Sequence, residues 1–110
     1  MCIRDRMLSI AAYNTFDLFT NGPSEQLAAE LADLAPMPDA RVFLTSGGSE
    51  SVDTAMKLAR VAQAQAGHPE RTVIISRVQS YHGGNYGGLA ATGLPLNQIG
   101  FGPMLGSSSI

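Results

Sequence analysis

The sequence has 110 residues, which is enough for one small domain and too few for two. A hydrophobic content of 45% and a charged content of 15% exclude a disordered chain, and the low charge and 12 glycines favour the interior of a larger protein. The net charge of −2, without a basic run, predicts no nucleic-acid partner, and no apolar stretch is long enough to cross a membrane. The single cysteine, Cys2, excludes an intrachain disulfide, and together with His68 and His82 it is too isolated to predict a metal site.

The two ends of the sequence differ from the rest. Residues 1–6 are not continuous with the apolar run at residues 8–13, and a second methionine, Met7, follows them at once. They are also too short and too charged for a signal peptide, so we expect an extraneous leader. Residues 106–110 contain no capping or terminal element. We therefore expect residues 7–110 to be a truncated part of a larger domain.

The first predicted helix begins at Ser24, after a bend at residues 21–24, with Glu25 in its first turn. Leucines at helical spacing give it an apolar face, and Pro36 ends it. The β-branched and aromatic residues 41–45 then predict a short strand.

A second, longer helix is predicted over residues 49–66, and Gly67 ends it. Its apolar stripe comprises Val52, Ala55, Met56, Ala59 and Ala62. Its solvent-facing residues are predicted to be Glu50, Asp53, Lys57 and Arg60, with Asp53 and Lys57 as an i,i+4 ion pair.

The rest of the chain consists of a predicted strand, a loop and a short helical turn. Residues 72–76 have the unbroken apolar centre of a strand that is covered on both faces. A glycine-rich loop follows at residues 80–88, and a helical turn at residues 89–92. The order of elements predicts an α/β fold in which helices pack on a parallel-type sheet.

The turn at residues 45–50 carries the strongest chemical signal. A predicted strand runs into Gly47 and Gly48, and Ser49 opens the long helix. A helix N-terminus favours an anion, and the glycines would let a phosphate approach the backbone closely. Ser49 also fits a simple helix cap. Neither the lysine of a P-loop nor a G-x-G-x-x-G fingerprint is present.

Tyr81 lies in the loop that follows the second predicted strand. Since the carboxyl ends of parallel strands share one edge of a sheet, we expect Tyr81 to lie near Ser49, where its ring would suit a flat phosphorylated ligand. Tyr81 also fits ordinary packing. The sequence His82-Gly83-Gly84 resembles an oxyanion-hole loop, but the chain has no G-x-S-x-G elbow for a hydrolase.

Together these segments resemble the class III, or ornithine/omega-type, aminotransferases of fold type I. Residues 42–60 are similar to that family's strand–turn–helix, which usually reads F-F-T-N-S-G-S-E-A-N-D-T-A-L-K-L-A-R, and residues 80–83 match its S-Y-H-G element. The resemblance covers residues 10–104. Ser46, Gly47, Ser51 and Val52 depart from the usual form.

The resemblance implies the cofactor-binding large domain of an enzyme that uses pyridoxal 5'-phosphate. Gly48 and Ser49 would bind the cofactor phosphate, and Tyr81 would stack on its ring. His82 is expected to order the loop by hydrogen bonding. The substrates would be an amine or amino acid and a 2-oxo acid, and the parent enzyme would be a cytoplasmic homodimer.

No residue of this chain is predicted to be catalytic. The family needs a lysine that binds the cofactor aldehyde covalently and a carboxylate that pairs with the ring nitrogen. Lys57, the only lysine, lies eight residues beyond Ser49 and thus ~12 Å along the helix. Two alternatives stay open: an aminomutase or decarboxylase of the same superfamily, and a small non-catalytic phosphate- or nucleotide-binding α/β module.

Overall fold

The computed structural model of the protein describes residue 5 and residues 20–104. The chain divides into two units, Met1–Leu44 and Thr45–Ile110. Apart from residue 5, the expected leader at residues 1–6 and the apolar run at residues 8–13 lie outside the described residues, as does the tail at residues 106–110.

Helix α1, in the first unit, spans Gly22–Leu34. Its N-cap is Asn21, whose side-chain oxygen accepts the Ser24 N–H at 3.0 Å, and Pro23 lies in its first turn. The prediction that Ser24 starts this helix is therefore wrong by two residues, because the cap lies earlier. The helix ends at Leu34, ahead of Pro36, as predicted.

Helix α2 lies near the start of the second unit and spans Gly48–Gln65. Its predicted bounds are confirmed to within one residue at each end. Gly67, with a φ of +87°, turns the chain away just beyond the helix. None of the residues of α2 is buried: in the predicted apolar stripe, Val52 and Met56 are half-buried and the three alanines are exposed.

Helix α3 spans Tyr86–Ala91, and a single 3₁₀ turn follows at Pro95–Asn97. The helical turn predicted at residues 89–92 is thus real but begins three residues earlier. The small core of this unit lies here, because Leu89 is only 6% exposed and Thr92 only 3%. In this unit, α3 packs against α2.

The strands predicted at residues 41–45 and 72–76 are not formed within residues 20–104, where both segments have no regular structure. An apolar, β-branched run has strand propensity, but a strand forms only when a neighbour completes its hydrogen-bond ladder. Ile75, at the centre of the second run, is 86% exposed.

In the same described range, residues 20–104, no helix has both the length and the apolarity to span a bilayer.

Candidate phosphate-binding site at the start of helix α2

The N-terminus of α2 presents backbone N–H groups without partners. Its N-cap, Gly47, has no side chain to cap the helix, and the first amide with a partner is that of Ser51, which donates to the Gly47 carbonyl at 3.0 Å. The N–H groups of Gly48, Ser49 and Glu50 donate to no group in the described part of the chain. Together with the helix dipole, three free donors favour an anion at this point.

The space in front of these donors is open. A Cβ atom placed on Gly47 or Gly48 would meet nothing within 4 Å among the described residues. A tetrahedral anion could therefore reach the backbone without displacing a side chain.

Side chains of the turn hold the helix start in place without occupying its donors. The Glu50 carboxylate folds back and accepts the Ser46 N–H at 2.9 Å and the Ser46 hydroxyl at 2.5 Å. The Ser46 hydroxyl bond, followed by the Ser46 N–H bond, lowers the pKa of Glu50 below its ordinary value. The hydroxyl groups of Thr45 and Ser51 form a hydrogen bond of 2.5 Å with each other across the same turn.

Ser49 connects the helix start to the glycine-rich loop. Its Oγ accepts the Gly84 N–H at 2.9 Å. The Ser49 hydroxyl hydrogen is not used in that bond and remains available to a ligand. The prediction that Ser49 lies in the first turn of the long helix is confirmed.

Gly83 lets the loop approach α2 closely. Its φ is +122°, and a Cβ atom there would lie 2.8 Å from the Ser49 Cα and 2.8 Å from the Ser49 Oγ. Any side chain at this position would push the loop away from the helix start.

The backbone on both sides of Tyr81 is fixed. The Ser80 carbonyl accepts the Gly93 N–H at 2.8 Å, and the His82 N–H donates to Thr92 Oγ1 at 3.0 Å. The Tyr81 side chain is 62% exposed. Its hydroxyl lies 4.0 Å from the point where a Cβ of Gly84 would stand. Tyr81 thus belongs to the loop that contacts Ser49, with most of its ring accessible.

His82 orders this loop, as expected. The Ser80 hydroxyl donates its only hydrogen to the Arg77 carbonyl. The 2.9 Å contact between Ser80 Oγ and His82 Nε2 therefore has the histidine as donor, which places a hydrogen on Nε2.

Asp53 has a different role from the one predicted. Its Oδ1 accepts the Gly88 N–H at 2.7 Å, and no ion pair joins it to Lys57. Its polar character predicts a solvent-facing position, because a helical wheel distinguishes polar from apolar residues but not solvent from backbone donors. The available signal was its position four residues after Ser49, which puts both on one face of α2.

Other groups of the described chain add nothing to this site. Lys57 is exposed and lies two turns further along α2. No three His, Cys, Asp or Glu side chains within residues 20–104 are placed to hold a metal ion. A shallow groove of about 380 Å³ lies beside the far end of α2, between residues 59–63 and residues 70–74.

Known proteins with a similar sequence are aminotransferases. The sequence profile described as "Aminotransferase class-III" matches residues 6–109. The chain is 41% identical over 80 residues to an omega-aminotransferase of Caulobacter vibrioides, which covers 73% of the chain and 18% of that protein. It is 41% identical over 96 residues to an acetylornithine aminotransferase of Bacillus subtilis, which covers 87% of the chain and 23% of that protein. The chain thus spans about a fifth of the length of these relatives.

Solved structures show the same fold over nearly the whole chain. An (S)-enantioselective omega-transaminase from Thermomicrobium roseum superposes with a TM-score of 0.85 at 44% identity, over 93% of this chain and 23% of that one. The omega transaminase from Pseudomonas jessenii in complex with PMP superposes with a TM-score of 0.83 at 36% identity, over 94% of this chain and 23% of that one. The profile match over almost the entire sequence, supported by these relatives, shows that the chain belongs to the class-III aminotransferase family.

Proposed function

We propose that this chain is part of the large, cofactor-binding domain of a pyridoxal-phosphate-dependent aminotransferase, with residues 7–110 contributing to that domain. The parent enzyme transfers an amino group between an amine or amino acid and a 2-oxo acid. The single observation that carries the proposal is the set of free N–H groups at the start of α2, next to the loop that holds Tyr81.

The site residues fit the phosphate of this cofactor. The N–H groups of Gly48, Ser49 and Glu50 and the Ser49 hydroxyl are hydrogen-bond donors, and the phosphate offers acceptors only. The space around Gly48 is open. Binding of the phosphate by Gly48 and Ser49 remains a prediction, which these features support.

Tyr81 fits the ring of the cofactor. Its side chain is mostly exposed, and its backbone is fixed on both sides, so its ring can stack on a flat ligand with little loss of conformational freedom. When bound, the cofactor supplies an aldehyde and an electron-withdrawing ring. Tyr81 contributes orientation of that ring, and α2 contributes its anchorage.

Several further features belong to the same proposal. The named relatives are aminotransferases, which favours amino-group transfer over an aminomutase or a decarboxylase. The P. jessenii structure holds PMP, which supports a pyridoxal-phosphate-type cofactor. Exposed apolar side chains such as Ile75 and Val78 fit a sheet within a larger parent, and the cytoplasmic homodimer rests on the family resemblance.

A titration of the 110-residue chain with three ligands tests the proposal. Pyridoxamine phosphate, inorganic phosphate and pyridoxamine are added separately, and backbone amide shifts are followed by NMR. We expect both phosphate-containing ligands to shift Gly48, Ser49 and Glu50, and only pyridoxamine phosphate to shift Tyr81 as well. Equal affinity for inorganic phosphate and pyridoxamine phosphate would instead support the non-catalytic phosphate-binding module.

Lys57 has no catalytic role in this proposal, because it lies ~12 Å along α2 from the phosphate end. Borohydride reduction of the chain with pyridoxal phosphate should give no stoichiometric label at Lys57. Specific labelling that is lost in Lys57→Ala, with turnover of an amine and a 2-oxo acid, would falsify this assignment.

A further inference from the structure

The N-terminus of α3 is capped by a residue of another helix. Asn85, the N-cap residue of α3, makes no side-chain capping bond. Gly88 is the third residue of the helix, and its N–H donates to the Asp53 carboxylate of α2 at 2.7 Å. A carboxylate at this position satisfies one unpaired N–H and also interacts favourably with the helix dipole.

Two adjacent glycines allow α3 to lie against this carboxylate. A Cβ atom on Gly87 would stand 2.7 Å from Asp53 Oδ1 and 3.0 Å from Met56 Cε. A Cβ atom on Gly88 would stand 2.5 Å from the His82 carbonyl oxygen. A side chain at either position would force α3 away from α2 or from the loop, so the contact depends on both glycines.

A series of hydrogen bonds leads from Asp53 to the backbone beside Tyr81. The Gly88 carbonyl accepts the Thr92 hydroxyl at 2.8 Å. Thr92 Oγ1 in turn accepts the His82 N–H at 3.0 Å, one residue after Tyr81. Because Thr92 is buried, water does not compete readily for these bonds. Asp53 therefore contacts α3 at the point where α3 fixes the Tyr81 loop.

Two side chains of α2 that lie four residues apart thus accept hydrogen bonds from two backbone N–H groups that are also four residues apart in the sequence. Ser49 accepts from Gly84, and Asp53 accepts from Gly88. The Ser49 bond attaches the loop to α2 at the phosphate end, and the Asp53 bond attaches α3 to α2 one helical turn further along. Two attachments at different points along α2 define the orientation of this segment on the helix more closely than either one alone.

We infer that Asp53 is a positioning residue, which through Gly88 sets where the Tyr81 ring stands relative to the phosphate-binding end of α2. This inference rests on the proposed function and deepens it. Asp53 contacts neither phosphate nor ring, so its loss should weaken ring binding and leave phosphate binding intact.

The test compares Asp53→Ala with Asp53→Asn and with Lys57→Ala, the matched control one turn further along α2. Each 110-residue variant is titrated with pyridoxamine phosphate and with inorganic phosphate, and the ratio of the two affinities is measured. We expect Asp53→Ala to lower this ratio about fivefold at unchanged phosphate affinity. Asp53→Asn, which keeps an acceptor oxygen, should recover most of the ratio, and Lys57→Ala should not change it. An unchanged ratio in Asp53→Ala overturns the inference, as does an equal loss of both affinities.

Two further measurements decide the question if a variant fails to fold or if the unsubstituted chain binds neither ligand. Gly87→Ala displaces α3 while Asp53 stays intact, so it should lower the same ratio, and an unchanged ratio counts against the inference. Failure of the unsubstituted chain to bind overturns the proposed function by itself. Amide exchange without ligand then decides the role of Asp53: faster exchange at both Gly88 and His82 in Asp53→Ala supports it, and unchanged exchange at His82 refutes it.

Discussion

The Ser49 Oγ accepts the N–H of Gly84 at 2.9 Å, although 35 positions separate the two residues. A serine in the first turn of a helix commonly bonds to the backbone of its own helix. Here Ser49 Oγ instead accepts a hydrogen bond from the loop that contains Tyr81, and its hydroxyl hydrogen is not used in that bond. One side chain can therefore attach the loop and donate to an anion at the same time.

Replacement of Ser49 by alanine should weaken phosphate binding. The variant loses a hydroxyl donor to a charged acceptor, a bond worth about 1.5–3 kcal/mol, so we expect about a tenfold or larger loss of affinity. Calorimetric titration with inorganic phosphate measures this loss. Ser76→Ala is the matched control, because Ser76 is exposed and lies far along the chain from this turn. Equal affinities of the two variants would remove Ser49 from the site.

Replacement of Tyr81 should affect the ring of the ligand and not its phosphate. Stacking contributes roughly 0.5–1.5 kcal/mol beyond area burial, so Tyr81→Ala should bind pyridoxamine phosphate roughly two- to tenfold more weakly. Tyr81→Phe keeps the ring and should bind nearly as the unsubstituted chain does. Tyr86, which is 54% exposed against 62% for Tyr81, offers a matched control in Tyr86→Ala. A comparable loss in Tyr86→Ala would show that the effect is not specific to Tyr81.

Replacement of Gly83 should separate the loop from α2. The φ of +122° strains any other residue by about 1–3 kcal/mol, and the new Cβ would also collide with Ser49. We expect Gly83→Ala to speed amide exchange at Gly84, whose N–H loses its acceptor. Gly100→Ala is the control, since Gly100 has a φ of +88° but nothing within 4 Å of its Cβ position. Similar exchange at Gly84 in both variants would mean that no close approach is needed.

The turn before α2 should depend on pH through Glu50. Hydrogen bonds from Ser46 lower the pKa of this carboxyl below its ordinary value of 4.5. A lowered folded-state pKa means that Glu50 stabilises the turn above pH 4.5 and that this contribution is lost as the pH falls through the lowered value. The Ser46 amide shift, followed by NMR, should titrate with a midpoint below 4.5. Glu50→Gln should abolish the titration, and a midpoint at or above the ordinary value would contradict the assigned bonds.

Sequence patterns predict the start of α2 well, because local signals agree there. Two glycines and a serine precede a long helical periodicity, and the structure begins α2 at Gly48. Contact between the Tyr81 loop and this helix start is also confirmed, by the bond between Gly84 and Ser49. The predicted reason was a shared sheet edge, whereas within residues 20–104 the contact is made by hydrogen bonds between a side chain and the backbone.

The role of Asp53 could not be predicted in the same way. Its partner is a backbone N–H, and every residue except proline carries one, so no side-chain pattern indicates which N–H an aspartate will bind. Gly87 and Gly88 allow the contact, yet in the sequence they resemble any flexible loop. The predicted strands are not confirmed for a related reason, because a run such as residues 72–76 contains the propensity for a strand but not the neighbour that completes it.

Helix α3 receives the groups that complete both of its ends from outside itself. Asp53 binds its N-terminal part, and the Gln98 side chain donates to the carbonyls of Leu89 and Thr92 at 3.0 Å and 2.9 Å. Six residues, two of them glycine, cannot sustain a helix alone, since helices shorter than about 12 residues are marginal in water. We therefore expect α2 to form before α3 during folding and the Tyr81 loop to become ordered last. Pulse-labelled hydrogen exchange during refolding should accordingly find α2 amides protected before that of Leu89, and the reverse order would show that α3 nucleates by itself.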